Sequence, residues 1–256
     1  ETSRDEIKEI IDKTGMEIEC FIHGAMCSSY SGRCVLSNYF TKRDANRGGC
    51  AQICRWTFDL YDKDKKKIES DTKFTMSCKD LSMVGFIDDM IDIGITSFKI
   101  EGRMRSIYYV ATVVSTYRHI IDDILNNNLT DERRNKYIKI LDRVANRDST
   151  VQFYDKFPSV NEQYYLDRRE ESNQDFLASI ISYDGEYATI MERNYFKVGD
   201  SVEFMSPHYE TFSYKIEEIY DMDGNKREIA NHPEEILKIK IDRELYPGDM
   251  MRVKID

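Results

Sequence analysis

Residues 95–125 read ITSFKIEGRMRSIYYVATVVSTYRHIIDDIL, and how this stretch folds decides the architecture. From Ile95 to Gly102 the side chains alternate. Ser97, Lys99 and Glu101 share one face while Phe98 and Ile100 take the other, the pattern of a strand. Ser106 then opens a helix. Ile107, Val110, Ala111, Val114, Tyr117, Ile121, Ile124 and Leu125 recur at helical spacing, and the Asn126–Asn128 run ends it. The same strand and helix signals lie on either side. Ser3 and Glu6 make a capping box for a short helix over 4–14, closed near Gly15. A strand over 17–24 follows, with Glu17, Glu19, Phe21 and His23 opposite Ile18, Cys20 and Ile22. Asp80 is placed to cap a helix carrying Leu81, Val84, Ile87, Met90 and Ile91 up to Gly94. Another helix runs from about Thr130 to Ala145, with acidic residues in its first turn where the helix dipole favours them. Strands alternating with helices predict an α/β unit with a parallel sheet.

Past the polar stretch 161–175 the texture changes. Short alternating runs lie between Asp184-Gly185, Val198-Gly199-Asp200, Asp223-Gly224 and Pro247-Gly248-Asp249, which predicts a small all-β barrel or sandwich over 175–256 and leaves 1–174 to the α/β domain. Earlier, 55–62 and 68–76 flank the lysine-rich stretch 63–67, a pattern that suits a hairpin with a solvated turn.

A chain of 256 residues with 41% hydrophobic content can bury a sizeable core. It has no apolar run near the roughly 20 residues of a spanning helix and no basic-then-apolar leader, so a cytoplasmic protein without a membrane is expected. It opens on Glu1 rather than Met, the pattern of a piece of something longer. The net charge of −10 argues against indiscriminate polyanion binding, because affinity for a phosphate backbone comes largely from lysine and arginine. A nucleic-acid site must therefore be local. Two basic clusters qualify: Lys42, Arg43, Arg47 and Arg55, then Lys99, Arg103 and Arg105.

The chemistry centres on sulfur. Between Ala25 and Arg55 periodicity fails, glycine and polar residues accumulate, and Cys27, Cys34, Cys50 and Cys54 crowd into one long loop, followed by Cys78. In a chain without a secretion signal such cysteines point to metal rather than disulfides. Soft thiolates favour zinc or an iron–sulfur cluster, and the uneven gaps suit a cluster wrapped by an irregular loop better than paired zinc knuckles. Free or redox-active thiols are the remaining reading. Cys20 falls on the apolar face of its strand and reads as core.

Ser97, Lys99 and Glu101, aimed off one strand face, are costly to bury unless used. If the strand lines a barrel they converge with Glu19 and His23 at its carboxyl end, with Glu101 as general base and Arg103 clamping a carboxylate or phosphate. The bland alternative is a lysine–carboxylate pair that satisfies itself. His119, His208 and His232 show no catalytic-triad pattern.

The stretch from Glu19 through Cys27 and Cys34 to Ser37, then Asn46-Arg-Gly-Gly-Cys50-Ala-Gln-Ile-Cys54-Arg-Trp56, resembles the signature of the collagenase-like peptidase family of unknown catalytic type, number thirty-two. Ser77-Cys-Lys-Asp-Leu81 and Lys99-Ile-Glu-Gly-Arg-Met-Arg-Ser106 resemble its next two blocks. The resemblance implies the C-terminal part of a TIM-barrel-like domain followed by a small β-barrel. It implies oxygen-independent 5-hydroxylation of the tRNA wobble uridine, with prephenate as hydroxyl donor, a 4Fe-4S cluster, and tRNA, a small carboxylate substrate and a paralogous protein subunit as partners. Cys27, Cys34 and Cys50 match the family's cysteines and Cys54 is a further match. Many relatives carry cysteine after Lys-Asp-Leu where this chain has Ser82, so Cys78 or Cys54 is left to close the cluster. The alternatives are a peptidase and a non-catalytic binding module for RNA or protein. Against the first, the chain contains no His-Glu-x-x-His motif and no Gly-x-Ser-x-Gly elbow.

Overall fold

The computed structural model describes residues 1–71, 73–144, 147–164 and 174–255. They belong to two compact units, 1–171 and 172–256. In the first, helix α1 (Arg4–Thr14) starts at the expected capping box: Glu6 accepts from the Ser3 amide at 2.9 Å while Ser3 Oγ accepts from the Glu6 amide. Arg4 fastens it by gripping Asp89 through Nε and Nη2 at 2.7 and 2.6 Å, and the Tyr154 hydroxyl donates to the same carboxylate at 2.7 Å. Strand β1 (Glu19–Gly24) follows, then a long loop. This loop is less irregular than the sequence predicts, for it holds helix α2 (Leu36–Thr41) and two single 3-10 turns at Ala45–Arg47 and Ile53–Arg55. Elements this short leave no periodicity to read.

The hairpin over 55–76 is a sparse ladder, with isolated bridges pairing Phe58 with Phe74 and Tyr61 with Lys67 and the lysine run exposed at its turn. Next come β2 (Asp80–Ser82), α3 (Ile87–Asp92), β3 (Ser97–Ile100), α4 (Ile107–Leu125), α5 (Asp131–Val144) and β4 (Ser149–Thr150). The sheet order is β3-β1-β2-β4. Strand β3 runs parallel to β1, but β2 pairs with β1 antiparallel, so the expected all-parallel sheet is corrected to a mixed one. No single helical crossover joins β1 to β2, and without one nothing imposes the parallel sense.

Two further expectations change. Asp80 does not cap a helix. It lies in β2, buried between Arg105 and Arg147, with Nη2–Oδ2 at 3.1 Å and Nη1–Oδ1 at 3.6 Å, and α3 begins only at Ile87. Helix α4 starts at Ser106 as predicted, yet it buries Tyr108, Tyr109, Thr112, Val113, Thr116, Tyr117 and Ile120 while Ile107, Val110, Val114 and Leu125 stay exposed. Its tyrosines and threonines find internal partners, so they can be buried and turn the helix away from its most hydropathic stripe.

The second unit is an antiparallel sheet in the order β11-β10-β13-β6-β5-β14-β8-β9. Its strands are β5 (Phe176–Tyr183), β6 (Tyr187–Glu192), β8 (Ser201–Met205), β9 (Phe212–Lys215), β10 (Ile219–Tyr220), β11 (Lys226–Arg227), β13 (Ile236–Lys240) and β14 (Met250–Val253). A ribbon of β7 (Phe196–Lys197) and β12 (Ile229–Ala230) completes it. The predicted turns at Gly185 and Gly248 adopt φ of 105° and 95°, values that favour glycine. Phe196, Phe204, Ile190, Leu237 and Met251 form its core.

Candidate functional site

The first unit gathers its chemistry at the ends of β1, β2 and β3. Cys27 follows β1, Cys34 precedes α2, Cys50 follows the first 3-10 turn and Cys54 lies in the second. All four line one cavity of about 320 Å³ together with Tyr30, Leu36, Ser37 and Ile53. Backbone bonds fix the walls. The Gly49 amide donates to Asp44 O at 2.8 Å, the Ala51 amide to the buried Ser37 Oγ at 3.1 Å, and the Met76 amide to Cys54 O at 3.0 Å. A Cβ on Gly49 would come within 2.8 Å of Asp44 O, so this loop closes only around glycine. The Gln52 amide points at the Cys50 sulfur from 3.3 Å.

Burial pushes the Cys27 thiol above its ordinary value, against the Ser29 amide that lowers it, and nearby Cys54, Cys34 and Cys50 push it further. Crowded thiols oppose one another's ionisation, an opposition that a bound cationic centre removes. Among the described residues, no three His, Cys, Asp or Glu side chains converge as ligands of a single ion do. Cys78 does not line this cavity. It is buried, bridged to Gln163, and pushed up to about 11 by burial and by Cys54.

A second cavity of about 500 Å³ adjoins the first, sharing Cys27 and Ser31, and is lined by Cys20, His23, Glu101, Leu81, Met83 and Tyr154 among others. His23 is fixed there. Tyr117 donates its hydroxyl to Ile22 O at 2.9 Å and lies 3.2 Å from His23 Nδ1. With that hydroxyl proton committed, Nδ1 must donate, which leaves Nε2 as an acceptor. Burial, with Arg105 adding to it, pushes the imidazolium pKa down to about 4, so His23 is neutral at neutral pH. Gly24 presses on the next strand so closely that a Cβ would come within 2.5 Å of Glu101 O. Tyr117→Phe is expected to cost about 2 kcal/mol, because His23, Ile22 O and the Met83 amide all lose one partner. Chemical denaturation of the first unit measures this, and an unchanged midpoint would refute the assignment.

The other predicted residues separate. Glu101 and Glu19 both line the second cavity, while Lys99, which does not, is half exposed, paired with Glu19 at 2.9 Å and set over the Phe21 ring. Ser97 Oγ bonds the same Glu19 carboxylate, which these two partners hold below its usual range. Arg103 is exposed and lines neither cavity. The arginines held inside at this end of the sheet are Arg105, partly buried, stacked on Tyr109 and paired with Asp80, and the buried Arg147 on the other Asp80 oxygen. Sequence reading missed His23's anchoring by Tyr117 and the Asp80 cluster. The one signal was the second arginine of Arg103-Met104-Arg105, where alternation alone prefers neither.

The sequence pattern described as peptidase family U32 matches residues 1–164, and that of the peptidase family U32 C-terminal domain matches 172–252. The tRNA hydroxylation protein P1 of Bacillus subtilis (strain 168) is 47% identical over 259 residues, covering 98% of this chain and 61% of that protein. A 23S rRNA 5-hydroxycytidine synthase of Escherichia coli (strain K12) is 42% identical over 125 residues, 49% of this chain and 19% of its own. A collagenase of Porphyromonas gingivalis (strain ATCC BAA-308 / W83) is 41% identical over 133 residues, 52% and 32% respectively. The chain thus spans about three fifths of the tRNA hydroxylation protein that it matches over nearly all of its own length.

Proposed function

Because the chain belongs to peptidase family U32 and four of its thiols line one cavity, we propose that it forms part of an iron–sulfur enzyme that hydroxylates RNA. The observation that carries this is that Cys27, Cys34, Cys50 and Cys54 all line one cavity, beside a second, organic-sized one. Those four residues would hold a 4Fe-4S cluster, with Cys54 rather than Cys78 as the fourth ligand, since Cys78 stands outside the cavity wall. Such a cluster supplies one-electron chemistry when bound. The finer reading takes the wobble uridine of tRNA as target and prephenate as the hydroxyl donor, and a cytoplasmic enzyme with a paralogous partner subunit. Of these, similarity to tRNA hydroxylation protein P1 supports tRNA as the substrate class.

The chain's own residues define what the second cavity can do. His23 offers a neutral acceptor nitrogen at Nε2 and Glu101 a carboxylate able to take a proton, while Leu81, Met83 and Met90 limit water there. Its charged lining, Glu1, Glu19 and Glu101, is acidic, and neither Arg103 nor Arg105 is among the residues that line it. Charge is also divided between the units. Lys and Arg number 27 against 29 Asp and Glu in residues 1–171, but only 10 against 18 in 172–256, which favours RNA contact with the first unit. Among the described residues, no helix is long and apolar enough to cross a membrane.

Anaerobically prepared protein is expected to be brown and to lose iron and colour on Cys34→Ser. In cells lacking the gene, that variant should restore none of the hydroxylated uridine that the unaltered protein restores, read by mass spectrometry of tRNA nucleosides. Full restoration by colourless, iron-free protein would overturn the proposal. The collagenase similarity favours a peptidase only weakly, because the one buried histidine of the first unit commits Nδ1 to a tyrosine rather than to a nucleophile.

A further inference from the structure

An aromatic surface stands on the outside of the cysteine loop. Helix α2 turns Leu36 and Ser37 towards the thiol cavity and leaves Tyr39 and Phe40 outside, 81% and 48% exposed. Trp56, two residues past Cys54, is 38% exposed and joins them. The Phe40 ring lies 5.1 Å from Tyr39 and 6.2 Å from Trp56, so the rings form one contiguous group. Large aromatics left in water beside one another cost hydrophobic free energy and mark a recognition surface. They crown a loop that Gly49 and the buried Ser37 hydroxyl already hold rigid, so the exposure is not that of a loose segment.

Charge identifies the occupant. Residues 33–56 carry five Lys and Arg against the single acidic residue Asp44, within a chain of net charge −10. Arg33, Lys42, Arg43 and Arg47 are all exposed in the same stretch of loop. Flat π faces in a locally basic segment fit unpaired nucleotides, whose bases stack while their phosphates meet the cations. A protein partner would not call for such a local reversal of sign.

Resting on the RNA reading above, we infer that Tyr39, Phe40 and Trp56 form a stacking platform for single-stranded RNA, which delivers the neighbouring nucleotide to the mouth of the thiol cavity. Sequence specificity is not expected from stacking, since every base has a π face. Preference for unpaired over paired RNA is, because a duplex hides those faces.

Trp56 is the only tryptophan, so its emission reports the platform directly. A short end-labelled single-stranded RNA is titrated into the protein, following label anisotropy and Trp56 fluorescence together, and its fully paired duplex is run alongside. The expected result is quenching of Trp56 that saturates with the anisotropy and is absent with duplex. Tyr39→Ala, at a site too exposed to disturb folding, should weaken binding about tenfold. Arg43→Ala should reduce the slope of log affinity against log salt by about 0.7 while leaving the quenching intact. If the strand binds but Trp56 emission is unmoved, or Tyr39→Ala binds normally, the platform falls and the RNA reading stands. If no RNA binds at all, both fall. Trp56 emission that depends on protein concentration without RNA would assign the face to self-association and overturn the inference.

Discussion

Glu203→Gln is expected to destabilise the β unit by about 3 to 5 kcal/mol, the largest single-site effect in that half of the chain. Glu203 and Arg252 are directly opposite in the β8–β14 ladder. Arg252 Nε donates to Glu203 Oε2 at 2.9 Å, Nη2 lies 2.8 Å from the same oxygen, and both side chains are only 3% exposed. Glutamine keeps the shape but leaves a guanidinium facing a neutral amide where water cannot solvate it. Replacing both residues, as Glu203→Leu with Arg252→Met, should recover most of the loss, because desolvation of two ions largely offsets their attraction. The two units need not unfold together, so hydrogen exchange at β8 and β14 is the proper measurement. A cost below 1 kcal/mol for the single change would show that the pair is not truly buried.

The first unit is expected to lose about 3 kcal/mol between pH 6.5 and 4 through His23 alone. Folded His23 takes its proton only near pH 4, whereas the unfolded residue takes it near 6.5. Across that window the unfolded chain holds more protons, so stability is complete above about pH 6.5 and drains away as pH falls. The burial that depresses the pKa is also what makes the imidazolium intolerable beside Arg105. His23→Gln should be less stable at pH 7 yet show a flatter dependence below it. A variant whose unfolding free energy falls as steeply as that of the unaltered chain would refute the assignment.

Much of this could be read from local chemistry. The capping box at Ser3 and Glu6, the start of α4 at Ser106 and the turns at Gly185 and Gly248 each depend on a few adjacent residues, and each appears where expected. Cys27, Cys34, Cys50 and Cys54 share one aperiodic stretch of sequence and line one cavity, whereas Cys78, named with them, does not line it. What failed depended on distant partners. Asp80 looks like a helix cap because serine-like and carboxylate residues do cap helices, and nothing nearby reveals that Arg105 and Arg147 will surround it. The buried face of α4 failed because hydropathy undervalues tyrosine and threonine. Tyr117 is 2% exposed because Ile22 O and the Met83 amide satisfy its hydroxyl, and Thr116 is buried because Oγ1 returns to Thr112 O at 2.7 Å. Lys99 reads as a converging site residue, but it is half exposed and its ammonium is taken up by the Glu19 carboxylate, which Ser97 also bonds.

Glu192, at the end of β6, has the opposite linkage to His23. It is fully buried; that burial lifts its carboxyl above the ordinary range, the His232 amide opposes the lift, and Glu235 reinforces it. A carboxyl that prefers its proton in the fold stabilises that fold in acid and weakens it as pH rises past 4.5. Mild acid therefore pulls the two groups in opposite directions: it costs the cysteine-bearing half through His23 and favours the β half through Glu192. The latter gain is set against Asp184, Glu218 and Asp221, whose carboxyls are held below their ordinary range by hydrogen bonds and so lose stability in acid.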